Sequence, residues 1–354
     1  MHPARQALIG NIQASATPLV YAIQDVPGKG KGLVATRDIP KGTRITSEKP
    51  IFAVGEPVVT ELAERVTSLN QHQRGEFLSM CNIHPFNDYT AQWMGILYTN
   101  ALPIGSKLDL SGIFITACRI NHACDNNAAH FWHDDSNRLT VHTIRDISRG
   151  EEITISYLGG AFDRNERQEE LQRRFHFTCS CQLCSLLSQQ SIESDLILNR
   201  INEIDNIISD ETGLGPRGIN ETPENLLCLI EEMVQLWKRH DHSPNPVGLA
   251  HAYYLAFQIA KANGDFARAR MFADRLVPVR TTFMGRESRY VREHPRLRHD
   301  PTVYRFSGVS MQRLTNLDEV PFGPWWHDLE AWLWMRDLEI DEGVNVQSWL
   351  DDVS

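Results

Sequence analysis

The hydrophobic pattern changes from strand-like to helix-like along the chain, and the change comes near residue 185. In the first half, short apolar and β-branched runs alternate with glycine and proline, which is typical of short strands joined by turns. These runs cover residues 33–36, 44–46, 51–54, 112–116, 139–144 and 152–157. Between about residues 60 and 99, apolar residues recur at helical spacing instead. The first half therefore predicts small sheets around a helical insert.

The second half predicts helices only. Apolar residues recur at helical spacing over residues 196–208, 226–237, 249–262 and 266–276. The last two segments are joined by Asn263, Gly264 and Asp265 and resemble a tetratricopeptide helix pair, although no clean repeat of about 34 residues is found. We expect the late tryptophans to pack against the preceding helices. These are Trp325, Trp326, Trp332 and Trp334.

The length and the pattern together predict an α+β chain of more than one domain. Single hydrophobic cores stop growing near about 250–300 residues, and this chain has 354. We expect an N-terminal tail at 1–16 and a small β-sheet domain at 17–165, with its helical insert at 56–110. A cysteine-rich segment at 166–187 and an all-α domain at 188–354 follow.

Composition and charge exclude several classes of protein. Apolar residues make up 42% and charged residues 23%, which is ordinary globular composition. Neither a signal peptide nor an apolar run long enough for a membrane span is found, so we expect neither secretion nor a membrane protein. The net charge of −10 disfavours a broad nucleic-acid-binding surface. Seven cysteines, an odd number, indicate a reducing compartment, cytosol or nucleus. We expect a monomer.

Three cysteines form a tight C-x-C-x-x-C group at Cys179, Cys181 and Cys184. This spacing is too tight for mutual disulfides and suits thiolates that converge on one zinc ion. Buried, inert thiols are the alternative. A tetrahedral site needs a fourth ligand, which spacing alone leaves open among Cys81, Cys118, Cys124, Cys228 and His176.

Two polar motifs are ambiguous when each is taken alone. The segment G-K-G-K-G-L-V-A at 28–35 places alternate glycines before a strand, so that its backbone can approach a ligand closely. It has neither Walker A nor Rossmann spacing. The segment R-I-N-H-A-C-D-N-N at 119–127 follows an apolar strand and, by itself, is typical of a turn.

The order of four motifs is more specific than any one of them. G-K-G-K-G-L-V-A, R-I-N-H-A-C-D-N-N, G-E-E-I-T-I-S-Y and F-H-F-T-C-S-C-Q-L-C succeed one another along the chain. This order resembles the SET-domain methyltransferases over about residues 17–185, nearest to the SET- and MYND-domain type, in which a helical domain follows the post-SET cysteines. A single cysteine, Cys81, lies between Lys49 and Gly95, so the zinc-binding MYND module of that type cannot be present there.

The resemblance implies roles for particular residues. Backbone around Lys29, Gly30, Lys31 and Gly32, with the Asn121 side chain, would hold the methionine part of S-adenosylmethionine. The main chain of His122 would meet the adenine, Phe177 would stack on it, and Asn100 would line the same pocket. Tyr157 would be the catalytic tyrosine beside the cofactor, with Phe175 also walling the acceptor channel. Cys124 would complete a structural zinc site with Cys179, Cys181 and Cys184.

Two departures from the family pattern affect the predicted activity. Asn126 stands where the family has proline, and Phe175 stands where many relatives have tyrosine. The phenylalanine leaves room for a more methylated product or for another acceptor. The resemblance implies methyl transfer to a nitrogen, with a lysine side chain of a protein as the acceptor. The alternatives are a small-molecule N- or O-methyltransferase and a degenerate SET scaffold, against which the intact Asn121, His122 and Tyr157 argue.

Overall fold

The computed structural model describes residues 19–55, 59–105, 110–212, 223–240, 245–294, 315, 320 and 329–336. The predicted tail at 1–16 and two of the late tryptophans, Trp325 and Trp326, lie outside these residues. Among the described helices, none has the length and apolar character needed to cross a membrane.

Short strands fill the first half of the chain. They are β1 (Tyr21–Val26), β2 (Gly30–Ala35), β3 (Arg44–Glu48), β4 (Phe52–Val54), β5 (Leu102–Pro103), β6 (Ser111–Ile113), β7 (Asn121–His122), β8 (Ala128–His133), β9 (Arg138–Thr143) and β10 (Glu152–Ile155). Strands β2, β3, β4, β6, β9 and β10 overlap the predicted runs of apolar residues, whereas β1, β5 and β7 were not predicted. Strand β8 was not predicted, because its sequence A-A-H-F-W-H lacks both β-branched residues and strict alternation.

Three small sheets result, with strand orders β1-β2-β10-β7, β3-β9-β8 and β4-β6-β5. The first sheet brings distant motifs side by side. Strand β10 pairs antiparallel with β2 and parallel with β7, so that Thr154 lies opposite Asn121 and Ile155 opposite His122. The glycine-rich segment, the polar segment and the E-I-T-I-S-Y strand therefore meet at one place.

The helical insert lies between β4 and β5, as the spacing of apolar residues predicted. It consists of α1 (Val59–Ser68), α2 (Gln71–Leu78) and α3 (Tyr89–Asn100). Asn70 caps α2 by accepting the Gln73 N–H, and Asp88 caps α3 by accepting the Ala91 N–H. The apolar faces of the insert pack with β4 and β6 in a core around Phe77 and Leu62.

A further helix, α4 (Arg164–Phe175), follows the β strands and forms the first part of the cysteine-rich segment, before the cysteines themselves. Apolar spacing did not reveal it, because its sequence R-N-E-R-Q-E-E-L-Q-R-R-F contains only two apolar residues. Its ends are nevertheless well defined. Asp163 and Glu166 form a capping box, and His176 ends the helix in the left-handed conformation with φ of 56°.

The rest of the described chain is helical, which confirms the all-α prediction for the second half. The helices are α5 (Ser188–Thr212), α6 (Pro223–Arg239), α7 (Pro246–Ala262), α8 (Phe266–Met284), α9 (Arg289–Arg292) and α10 (Leu329–Leu333). Asp265, the last residue of the predicted Asn263–Asp265 turn, is fully buried and caps α8. Trp334 is buried against Phe272 of α8, as expected for a tryptophan that packs on the preceding helices.

The helical region (residues 188 onward) packs directly on the β region (residues 19–165). Ala129 of β8 and Ile144, which follows β9, belong to the same hydrophobic cluster as α5 to α8. The Phe131 ring contacts Phe283 at a centroid distance of 6.5 Å, and Arg44 pairs with Glu287 at 2.7 Å. The two regions therefore pack directly against each other, and this hydrophobic cluster includes residues of both.

Candidate functional site

A close approach between β2 and β7 forms the floor of the site. Gly32 has no room for a side chain, because a Cβ there would lie 2.7 Å from Asn121 Nδ2 and 2.8 Å from Val26 Cγ2. Gly28 and Gly30 have φ values of 74° and 72°, which side chains rarely tolerate. The alternate glycines are thus required by backbone geometry, and they leave main-chain atoms accessible beside Asn121.

The Asn121 side chain is held in one orientation. Its Nδ2 donates to Glu152 Oε1 at 2.8 Å and to the Lys31 carbonyl at 3.3 Å. Glu152 in turn accepts from Lys29 Nζ at 2.7 Å. Because Nδ2 has only two hydrogens, Oδ1 is the polar atom of Asn121 left to accept a hydrogen bond from a ligand. The structure therefore brings Lys29, Lys31, Gly32 and Asn121 together, as the sequence predicted.

Sequence reasoning missed Glu152. It lies in the G-E-E-I-T-I-S-Y motif, where Ile153 and Ile155 face the core and are less than 2% exposed. Strand alternation puts Glu152 on the opposite face, toward Asn121. That alternation could have identified Glu152 from the sequence. A carboxylate on the same face as the predicted ligand-binding amide is a candidate hydrogen-bond partner for that amide.

Tyr157, two residues beyond β10, is fixed through both its backbone and its hydroxyl. Its hydroxyl donates to the Ile120 carbonyl at 2.8 Å, and its backbone N–H donates to His122 Nδ1 at 3.0 Å. Burial raises the pKa of the Tyr157 hydroxyl above its usual value, so the phenol stays neutral at physiological pH. Its oxygen keeps lone pairs that can accept an N–H.

His122 connects Tyr157 to the cysteines. Since Nδ1 accepts the Tyr157 N–H, a neutral ring carries its proton on Nε2, and Nε2 lies 3.2 Å from Cys124 Sγ. A donor aimed at sulfur suits a thiolate at Cys124. The predicted role of the His122 main chain toward adenine remains a prediction.

Aromatic rings wall the site on the side of the cysteine-rich segment. The Tyr157 and Phe175 ring centroids lie 4.9 Å apart, those of His122 and Phe177 lie 6.0 Å apart, and those of Phe175 and Phe177 lie 6.5 Å apart. Between the two phenylalanines, the left-handed His176 turns the chain and packs against His84 of the helical insert at 5.9 Å. All the aromatic residues predicted for the site therefore form one cluster.

Asn100 is placed differently from the other predicted cofactor residues. It ends α3, and its Nδ2 donates to the carbonyls of Cys81 and Ile96, both at 2.7 Å. Within the described part of the chain, no hydrogen bond joins it to the Asn121 and Glu152 group. Its predicted contact with the cofactor remains a prediction.

Four cysteine sulfurs converge beside this site. The Sγ atoms of Cys124, Cys179, Cys181 and Cys184 all lie within 4.8 Å of one another. Cys124 Sγ is 3.5 Å from Cys184 Sγ and 3.9 Å from Cys179 Sγ. Tetrahedral coordination with Zn–S bonds of about 2.3 Å places sulfurs roughly 3.8 Å apart, so this donor set fits a metal ion of that size.

Helix α4 supports the cluster from behind. The Gln168 side chain accepts the Cys179 N–H at 2.9 Å and donates to the Cys179 carbonyl at 2.8 Å. Leu171, one turn further along the helix, is fully buried against Cys179 and Cys184. The same helix ends at Phe175, so its position sets both the cysteines and the aromatic wall.

Comparisons with known proteins point to one family. A model of the SET domain matches residues 30–158. The chain is 30% identical over 270 residues to the histone-lysine N-methyltransferase set5 of Schizosaccharomyces pombe, covering 76% of this chain and 80% of that protein. It is 22% identical over 165 residues to the histone-lysine N-methyltransferase SMYD1 of Homo sapiens, covering 42% of this chain and 29% of that protein.

The chain therefore belongs to the SET-domain family, which confirms the prediction made from the order of the four motifs. It is an S-adenosylmethionine-dependent methyltransferase, the class of enzyme that the family and the set5 relative define.

Proposed function

We propose that this methyltransferase acts on lysine side chains of a protein substrate. The named relatives are histone-lysine N-methyltransferases, and we extend their acceptor class, lysine in a protein, to this chain. The observation that carries the proposal is the Tyr157 hydroxyl, which is neutral, oriented by the Ile120 carbonyl and flanked by Phe175. Aromatic rings beside one oriented polar oxygen suit an alkyl chain that ends in an amine.

We propose that the glycine-rich strand and Asn121 hold the amino-acid end of S-adenosylmethionine. That end carries an ammonium group, and Asn121 Oδ1 is an acceptor for it because Glu152 and Lys31 occupy Nδ2. Phe177 supplies a ring for the adenine. When bound, the sulfonium of the cofactor supplies an activated methyl group, so the protein needs to position and desolvate the acceptor and forms no covalent intermediate.

The acceptor must lose its proton before it can attack. An ordinary lysine has a pKa of about 10.4, so neutralising it at pH 7.4 costs about 4 kcal/mol. Burial between Tyr157 and Phe175, beside a positive sulfonium, lowers the pKa of the amine. The Tyr157 oxygen then accepts one N–H of the neutral amine and thereby orients the lone pair of the amine nitrogen.

We propose that Cys124, Cys179, Cys181 and Cys184 hold a structural zinc ion. Closed sites with four protein ligands have no open position for water, so such an ion stabilises the fold instead of activating a nucleophile. Here it would fix the segment that carries Phe175 and Phe177. None of the seven cysteines, all of them in the described part of the chain, forms a disulfide, and we propose a reducing compartment, nucleus or cytosol. We also propose that α7 and α8 are a tetratricopeptide-like pair, supported by their short Asn263–Asp265 turn.

The methyl acceptor is tested with isotope-labelled S-adenosylmethionine. The full-length protein is incubated with purified core histones or with cell extract, and the products are divided between a protein gel and a solvent extract. We expect label in protein bands, on lysine after hydrolysis. Label found only in the solvent extract would mean a small-molecule acceptor, and no transfer to either fraction would favour a binding scaffold.

Replacing Asn121 by alanine is expected to weaken cofactor binding about tenfold or more, because a hydrogen bond to a charged group is worth about 1.5–3 kcal/mol. Calorimetric titration with S-adenosylmethionine measures the effect. Asn126→Ala is the matched control. That amide lies in the same polar segment, at 119–127, but donates to the Ala128 carbonyl at 2.8 Å. Equal affinities for the Asn121 variant and the wild type would assign Asn121 a structural role only.

A further inference from the structure

Arg167 is a buried cation on the face of α4 that packs against the cysteine cluster. Its side chain is 6% exposed. Nη1 donates to the Phe162 carbonyl at 2.7 Å, whereas Nε is buried and has no hydrogen-bond partner. Arginine keeps its charge in proteins and is rarely buried without a pairing group. The surroundings of Arg167 must therefore stabilise the charge.

Arg167 lies on the side of α4 that faces the sulfurs. Arg167 and Cys124 line one cavity of about 330 Å³ between the β region and the helical region. Leu171, one turn further along α4, is fully buried against Cys179 and Cys184. Because residues four apart lie on one face of a helix, Arg167 and Leu171 are directed to the same side.

The charge of a metal-loaded cluster explains why a cation is needed there. Four thiolates around one Zn²⁺ ion carry two excess negative charges, and buried charge is costly unless it is paired. His122 Nε2 provides a neutral donor to Cys124 Sγ. Arg167 provides a full positive charge from α4.

Arg167 also connects the cluster to the helical region. Asp195 of α5 lies 3.8 Å from Arg167 Nη1 and accepts the Arg164 N–H at 2.9 Å. The same carboxylate thus faces the guanidinium and the first turn of α4. Helix α4 ends at Phe175, about two turns beyond Arg167.

We infer that Arg167 is a positioning residue that neutralises the zinc-loaded cysteine cluster and ties it, through Asp195, to the helical region. This inference rests on the structural zinc site of the proposed function. Outer residues around a metal site typically change metal affinity by about 10–100-fold when they are removed.

The test measures the rate at which the zinc-loaded, full-length protein releases zinc to a chromogenic chelator. Arg167→Gln keeps hydrogen-bonding capacity and removes the charge, whereas Arg167→Lys keeps the charge. We expect release about tenfold faster or more for Arg167→Gln, and a largely restored rate for Arg167→Lys. Arg200→Gln is the control, because Arg200 pairs with Glu232 and Glu203 away from the cluster.

Three results would overturn the inference. They are release from Arg167→Gln within twofold of wild type, release from Arg200→Gln as fast as from Arg167→Gln, and failure of both Arg167 variants to fold with zinc present. Failure of Arg167→Gln to fold, while Arg167→Lys folds and keeps its zinc, would support it. A wild-type protein without zinc would remove the metal site itself, whereas zinc held equally by all variants would remove only the role of Arg167. Neither result depends on methyl transfer.

Discussion

Replacing Tyr157 by phenylalanine is expected to lower the rate of methyl transfer by about 10²–10³ while the fold stays nearly intact. The lost hydroxyl is neutral and oriented by the Ile120 carbonyl at 2.8 Å. Loss of one preorganised polar contact at a reacting centre costs roughly 3–4 kcal/mol of transition-state stabilisation. The same hydroxyl contributes only about 1 kcal/mol to folding, and the ring that packs on Phe175 and His122 is retained.

Single-turnover transfer from labelled cofactor, measured beside a thermal melt, separates these two effects. Tyr253→Phe is the matched control, since Tyr253 is a buried tyrosine of α7, outside the site. The control should transfer at the wild-type rate. A Tyr157→Phe protein that melts within a few degrees of wild type and keeps more than about a tenth of its rate would remove Tyr157 from the mechanism.

The double substitution Cys179→Ser with Cys181→Ser is expected to abolish zinc binding and to weaken cofactor binding strongly. Structural zinc sites contribute about 10–16 kcal/mol in small zinc-finger peptides, and that binding energy orders the chain. Phe177 lies two residues before Cys179 and contacts His122 at 6.0 Å between ring centroids. Without the ion, the segment that carries this ring loses its anchor.

Metal analysis of protein prepared without chelators, followed by calorimetric titration with S-adenosylmethionine, measures both effects. Cys228→Ser is the control, because Cys228 is a partly buried thiol of α6 that lies outside the cluster. It should retain zinc and bind cofactor normally. Full zinc content in the double variant, or less than about half an equivalent in wild type, would contradict the four-cysteine site.

The sequence predicted elements best where hydrophobic periodicity was strong. The core strands of the β region and the helices α5 to α8 follow from their apolar spacing, because the same spacing buries one face of each element. Helix α4 escaped this reasoning, since Leu171 is its one fully buried apolar residue and its stability comes from the Asp163 capping box and from contacts with the cysteines. Strand β8 escaped it because both of its faces meet other elements.

The candidate site was predictable to the extent that its residues lie in motifs. Asn121, Tyr157 and the three clustered cysteines were selected as candidates in this way, and Cys124 was chosen as fourth ligand by resemblance. Glu152 and Arg167 were not found, because each acts on a partner that is distant in the sequence. Their roles depend on strand register and on which face of α4 is buried, and neither can be derived from spacing alone.

The shared core constrains how this protein can diverge. Ala129 and Ile144 belong to the β region and at the same time to the hydrophobic cluster of α5 to α8. A larger side chain at Ile144 would press on the helices, because protein interiors have few voids to absorb extra volume. Substitutions in one region must therefore be matched by substitutions in the other. A hybrid protein that joins the β region of one relative to the helical region of another, near residue 188, would combine two surfaces that do not match. It would be viable only if the contacting surfaces of both regions came from the same parent.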